Sequence, residues 1–426
     1  MPFQFVDNTV SIDRDARKKI RSHVATGRNA GKRHSRPSRK EAFVLPSKTT
    51  IQTAVQSTSN LISDKNVDAV SEIERQIGDE LSVLCLPAPL ISPGSRPMVR
   101  RALNNLIVKP DGHAEAIHHL SQAFQLVNNR LSGNDPVSDA TIAVVVALAQ
   151  FERHQGQYRR GIVHLDGLMR MVELRGGIST LTMHKSNLTQ KLFRADLEFA
   201  LYLGSATRFS IKDVMLGSTA MIGLRSTFTR DCQGHHNVSD FQSFKKFNPD
   251  LQDIIMDMIG VARMLNDISA RLKQKVNYYI FHDTSILLGY RLIYINPLGS
   301  LHVGDRLENV LHLGLAAFLM TFLRRLDHKI SDMPLLSGLA RSAVQEEFDY
   351  DKENQEILLW VLFIGKTSIF KPWDDTWLVP LIRRTMQALG LCTWEEVHQT
   401  LAKWPWVNTV HDKIGRHLCK SSTLDI

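Results

Sequence analysis

His164-Leu165-Asp166-Gly167-Leu168-Met169-Arg170-Met171-Val172-Glu173-Leu174-Arg175-Gly176-Gly177 carries the plainest structural signal in the chain. Leu165, Leu168, Met169 and Val172, with Ile162 just upstream, recur at the spacing of one helix face. Gly176 and Gly177 stand where a stop belongs, because glycine enters the left-handed C-cap conformation without a Cβ clash. The segment therefore reads as an amphipathic helix with a firm end, helical over 164–175 and buried on the Leu165, Met169 and Val172 face. Any helical domain could contain such a helix, so its neighbours must say which kind this is.

Outward from it the pattern stays helical. Upstream, Ala114 to Leu131 places Ile117, Leu120, Phe124, Val127 and Leu131 on one face. Asp139 to Phe151 is apolar enough to be buried nearly all round; a buried strand is the rival, and its length and alanine content favour helix. Downstream, helical spacing marks Leu188–Leu203, Pro249–Lys273 with proline in its first turn, Ser285–Ile295, Leu307–Leu326, Glu356–Phe370 and Leu378–Leu389. A capping box, Thr393-Trp-Glu-Glu396, opens a last segment to Trp404. Thr229 to Ser243 reads as a polar loop. No repeat of fixed period with a shared signature appears, so a solenoid is not supported. The expected fold is all-α, a large helical domain over 61–426.

The first 60 residues are of another kind and read as a basic, largely disordered arm and linker. The segment 14–40 holds eleven Lys or Arg against one acid, Asp15, and so carries +10; the total of +9 leaves −1 for the rest. Basic character is thus a local device that suits a polyanion, an import receptor or an anionic surface. Asp13, Asp15, Ala16, Ile20 and Val24 allow a short helix that Gly27, Gly31 and Pro37 end. Ser47 to Asn60 is Ser, Thr and Gln with few large apolar residues, which reads as a linker. Residues 68–84 resume a helical pattern, and prolines at 87, 89, 93 and 97 separate that segment from the body.

Few classes of chemistry find support. Cys85, Cys232, Cys392 and Cys419 are widely scattered, which speaks against a disulfide framework and for a reducing compartment. No apolar run is read as reaching the ~18 residues a bilayer requires, and the N-terminus lacks a leader pattern, so a soluble intracellular chain is expected. Gly365-Lys366-Thr367 imitates the end of a phosphate loop, but Trp360 occupies the position of the required first glycine. Cys232 with His235 and His236 reads as a solvated loop rather than a metal site. His411, His417 and Cys419 read as exposed polar residues of a terminal helix. Asp374 with Asp375 and Glu346 with Glu347 are adjacent and point apart on a helix. No catalytic constellation is found, and neither an enzyme, a cofactor nor a metal is expected. Trp373, Trp377, Trp394, Trp404 and Trp406 interleave with aliphatic residues and read as core rather than as a base-stacking platform.

Three stretches carry a resemblance. Segment 164–177 resembles the helix that marks the fungal-specific transcription factor domain, with its His-x-x-Gly-Leu and Met-Val-x-Leu-Arg-Gly-Gly wording. Residues 357–365, Trp377, 391–397, Trp404-Pro-Trp-Val407 and His411-Asp412 are similar to that domain's C-terminal half. Phe5-Val6-Asp7-Asn8 followed by Arg17-Lys18-Lys19-Ile20-Arg21-Ser22-His23-Val24 is similar to the arm of its short members. The resemblance spans roughly 1–40 and 110–418. It implies a nuclear, non-enzymatic transcription regulator, one that acts through a helical regulatory domain on a secondary-metabolite or other pathway gene set. The implied partners are other regulators or a second copy through helices, an import receptor, and DNA through the arm, with no membrane. One departure is large: many members open with a six-cysteine zinc binuclear cluster, and residues 1–84 hold no cysteine. Site-specific reading of DNA by that device is excluded. Arg17, Lys18, Lys19, Arg21, Arg28, Lys32, Arg33, Arg36, Arg39 and Lys40 are left as the candidate nucleic-acid-binding or nuclear-localisation residues, against the plainer reading of a solvated tail. A protein-interaction module without DNA contact is the alternative function.

Overall fold

The computed structural model describes residue 125 and residues 127–133, 136–182, 186–217, 244–276, 278–300, 305–325, 333–346 and 351–423. The basic segment, the linker, the helical pattern at 68–84, the prolines at 87–97 and the polar loop at 229–243 all lie outside these residues, as does the boundary between arm and body. Among the described residues the architecture is helical and holds no strand. Val127 and Leu131, on a helical stretch at 127–131, are buried as their spacing predicts.

Helix α1 (Asp139–His154) and helix α2 (Tyr158–Leu174) form a hairpin. Arg175, just past α2, ties the hairpin's open end by pairing with Asp139 and donating to the Val137 carbonyl at 3.2 Å. Helix α1 is buried almost throughout, so the strand rival is set aside. Helix α2 ends as its glycines require: the Gly177 N–H bonds to the Val172 carbonyl at 2.9 Å, the Gly176 N–H to that of Glu173 at 3.0 Å, and both glycines have positive φ. These two bonds make a Schellman stop. One residue of the expected face is corrected. Met171 is buried with Leu165, Leu168 and Val172, while Met169 is only half-buried, because the contact face turns toward α1 and α4.

After the short α3 (Ile178–Thr182) comes α4 (Ser186–Leu203), against which α1, α2, α3, α5 (Ile211–Gly217) and α7 (Tyr278–Ile295) all pack. Gly161 of α2 meets Phe199 so closely that an added Cβ would fall 2.3 Å from the ring, and Gly289 of α7 meets Leu197 in the same way. Helices α4 and α7 run side by side in the same direction and their ends are tied backbone to backbone. The Gly299 N–H bonds to the Gly204 carbonyl at 2.8 Å, and Gly204 sits at φ 70° with Gly299 N 2.6 Å from any Cβ it might carry. Only glycine meets both demands.

Helix α6 (Pro249–Ser269) stops four residues before the sequence pattern does. Leu272, counted at the end of its apolar row, lies outside the helix and is 75% exposed. The N–H groups of Arg271 and Leu272 return to the carbonyls of Ile268 and Asp267, a second Schellman stop, here with Arg271 at φ 61° where glycine is usual.

The second half is organised on α10 (Lys352–Ser368), whose residues Gln355 to Gly365 are buried without a break. Helices α8 (Arg306–Arg325), α9 (Pro334–Gln345), α11 (Asp375–Leu389), α12 (Trp394–Leu401) and α13 (Asn408–Thr423) pack round it. Trp360 enters the notch left by Gly314 of α8, and its Nε1 donates to the Pro405 carbonyl at 3.1 Å. Gly365 leaves room for Phe370, whose ring lies 2.3 Å from where a Cβ would stand; that glycine serves packing and not a phosphate. The box opening α12 forms as read, with Thr393 and Glu396 each accepting the other's backbone N–H, although the helix closes at Leu401.

Two further expectations are corrected. Helix α8 is long and apolar enough to cross a membrane, with a mean hydropathy of 1.2 over Arg306–Leu323, contrary to the reading that no run reaches that length. Within this fold 83% of that window is buried, which makes α8 a core helix. Trp404 and Trp406 are core, but Trp373 is 69% exposed, because the short turn Pro372–Asp374 turns its ring outward from the end of α10.

Candidate functional site

An apolar helix at the centre of a domain has little reason to carry charge, yet α4 carries four, Lys191, Arg194, Asp196 and Glu198, of which Lys191 alone is exposed. Along it Gln190, Arg194 and Glu198 recur every four residues and share one face. Glu198 is buried; its carboxylate takes the Arg194 Nε at 2.7 Å and the Gln150 amide at 3.3 Å, with Arg153 of α1 at 3.4 Å. Arg153 is buried as well and donates its own Nε to Gln150 at 2.8 Å. Arg194 also donates to the Leu323 carbonyl of α8, at 3.3 Å. The row ends at α7, where Gln190 donates to Asp283 at 2.6 Å. Arg153 and Arg194 thus flank one buried carboxylate, an arrangement that survives burial because each charge has a counter-charge and hydrogen bonds.

The neighbouring ionisable groups are displaced by burial. His282, on α7 beside Arg194, has its imidazole pushed down to about 3, by burial first and by the Arg194 charge second. Asp283 moves the other way, up to about 6, again because burial disfavours the charged form, with the Gln190 bond opposing. His164, inside the α2 face, is lowered to about 4 by burial.

A second polar cluster sits on the adjoining face of α4. Asp196 is fully buried and accepts from the backbone N–H groups of Arg208 and Phe209 and, at 2.7 Å, from the Tyr290 hydroxyl of α7. It fixes the turn that leads into α5. Burial raises the Asp196 carboxyl above its ordinary range against the pull of these donors and of Arg208, and raises the Tyr290 phenol. Arg208 reaches on to Asp166 of α2 at 2.6 Å, which ties the Gly176–Gly177 helix to this joint.

The structure therefore brings Arg153, Arg194, Glu198, His282 and Asp283 together on three helices, none of them singled out by sequence. The available signal was the four-residue spacing of Gln190, Arg194 and Glu198 inside a segment apolar enough to be core. The ten candidates Arg17, Lys18, Lys19, Arg21, Arg28, Lys32, Arg33, Arg36, Arg39 and Lys40 lie outside the described residues, as do Cys232, His235 and His236.

At the C-terminus the expectation is corrected. His411 and Cys419 are buried in α13 while His417 is exposed, and His411 Nδ1 accepts the Val407 N–H at 2.9 Å with its ring 4.9 Å from that of Trp406. Among the described residues no group of three or more His, Cys, Asp and Glu has the arrangement of a metal site. Asp374 is buried and accepts from Trp377 Nε1, whereas Asp375 pairs with Lys366, so this acidic pair does diverge. No family model, curated protein or solved structure matches the chain.

Proposed function

We propose that this chain is a transcription-regulator-like protein of fungal type, non-enzymatic and nuclear, in which a helical regulatory domain is delivered and held near DNA by a cationic arm. The observation that carries the reading is the segregation of charge. Residues 14–40 hold +10 while the remainder is near neutral, and that remainder contains an all-helical body. The family resemblance of 164–177 and of the Trp-bearing end supports it. Lys and Arg clustered on a Gly- and Pro-broken segment can follow phosphates, since neutralised phosphates release counterions whatever the base sequence. They offer no zinc-held helix to read base edges. Arg153, Arg194 and Glu198 act in this reading by keying α1, α4 and α8 together, not by chemistry.

The test is DNA binding as a function of salt. Log affinity should fall against log salt with a slope of about 0.9 per phosphate neutralised, and should barely separate one duplex from another. Changing Lys32, Arg33, Arg36, Arg39 and Lys40 to Ala should flatten that slope and move a fluorescent fusion out of the nucleus. An unchanged slope with unchanged localisation would return the arm to a solvated tail. The lack of cysteine in residues 1–84 favours a second reading, an interaction module that shares only the helical domain. No mobility shift at any salt would select it.

A further inference from the structure

We propose that His398 is the proton-sensitive member of a clasp that holds the C-terminal helix α13 on the body, closing when its ring is protonated and loosening when the ring is neutral. The geometry is a convergence of two helices on one ring. From α12, His398 presents Nε2 to two oxygens of α13, Asn408 Oδ1 at 3.3 Å and Asp412 Oδ1 at 3.4 Å. Both are acceptors, so the ring must hold a proton at Nε2, and a second proton makes it a cation beside the Asp412 carboxylate. Asp412 is fixed independently by the Trp406 indole N–H at 2.8 Å. The Trp394 ring lies 5.5 Å from the imidazole.

Other charges at the joint are few. From α13, Arg416 lies 3.8 Å from Asp412 and 5.5 Å over Trp394, and it opposes a positive ring. From α10, Glu356 faces the α12 side but is held by Lys403 at 2.7 and 2.8 Å. Helix α6 contributes Asn266, which is uncharged and clamps α13 by donating to the Trp406 carbonyl at 2.9 Å and accepting the Asn408 N–H at 2.8 Å. On α12 itself, Glu396 is engaged at the cap. Attraction outweighs Arg416: the bond to Asp412 raises the ring above its ordinary 6.5, ahead of the burial that lowers it.

A ring whose affinity for protons is higher folded than unfolded contributes stability that is fully present below about 6.5. That contribution is lost as pH rises through the folded midpoint. Each unit of displacement corresponds to about a tenfold change in the opening equilibrium of the clasp. The face that opening would uncover is aromatic: Trp406 packs on Phe363 of α10, and His411 on Phe318 of α8.

The experiment is a proton NMR titration of the His398 ring in the full chain, paired with hydrogen-exchange protection of α13 between pH 6 and pH 8.5. A midpoint above 6.5, dropping in Asp412→Asn, is expected, because the amide side chain retains an oxygen for the Trp406 indole but no charge. Protection of α13, corrected for intrinsic exchange, should fall several-fold over that range in the wild type and stay level in His398→Gln. A wild-type midpoint at or below 6.5, or equal pH dependence of α13 in wild type and His398→Gln, overturns the proposal. The wild-type titration decides the matter even if either variant folds poorly.

Discussion

The α4 face and the α10 face both lie in the core and are built on opposite rules. Helix α10 offers eight consecutive apolar residues, Ile357 to Ile364, and is matched by shape: Trp360 in the Gly314 notch, Phe363 on Trp406, Phe370 on Gly365. Helix α4 offers Gln190, Arg194 and Glu198 within an apolar helix and is matched by charge. Apolar contacts tolerate a slipped register at modest cost, whereas a buried carboxylate finds Arg153 and Arg194 in one register only. The first half of the body is thus pinned by charge, and the second is filled by apolar side chains, with the buried Glu356 held by Lys403 the exception at the start of α10.

The charged register on α4 is the more vulnerable of the two. Glu198→Ala strands the buried Arg153 guanidinium and the partly buried one of Arg194, and should cost about 3–5 kcal/mol in denaturant unfolding, the range for removing one partner of a buried pair. A loss below about 1 kcal/mol would erase the distinction between the two faces. Replacing Arg153, Arg194 and Glu198 together by Met, Met and Leu should recover much of that loss, since apolar substitutes of similar volume spare the desolvation.

Trp360→Phe probes the filled face. It removes the donor of the buried Pro405 carbonyl and part of the indole volume, and should cost about 1–3 kcal/mol by the same assay.

Asp283→Asn probes the polar face from the other side, because here burial works against the native residue. A carboxyl raised to about 6 against about 3.9 unfolded contributes stability that is fully present below pH ~4 and lost as pH rises through ~6. The variant should therefore gain about 1–2 kcal/mol over wild type at pH 8, after allowance for partial solvent exposure, and gain nothing at pH 4. His282 and His164, both lowered, act in the opposite sense and lose stability as pH falls below 6.5. The difference between variant and wild type is thus the quantity to measure.

Arg271→Gly has the smallest effect. A left-handed arginine costs about 1–2 kcal/mol, part of which glycine forfeits in unfolded-state entropy, so a gain of about 0.5 kcal/mol in thermal unfolding is expected.

What can be read from the sequence is what rests on local periodicity. The helices, the Gly176–Gly177 stop and the Thr393–Glu396 box are all properties of residues within four or five positions of one another. The errors have a common origin in tertiary placement. Met169 and Met171 are both compatible with an apolar face, and only the position of α1 and α4 selects Met171. Leu272 continues the α6 spacing but lies past a stop in which arginine stands where glycine would have announced it. His411 reads as surface because α13 carries polar residues all round; the Trp406 contact that buries it comes from the preceding turn of chain. Glu198 and Arg194 draw no attention in the sequence, since the partner that explains their placement in the core, Arg153, lies more than forty residues upstream.

The proposal that a cationic arm brings a helical regulator to DNA is put to the test by transcript profiling in a strain lacking this chain. Loss of the chain should alter a defined gene set. Wild type and a Trp360→Phe form expressed to the same level should restore it, and the form with Lys32, Arg33, Arg36, Arg39 and Lys40 changed to Ala should not. An unaltered transcript profile, or full restoration by the arm variant while it remains outside the nucleus, would show that the arm does not deliver a regulator.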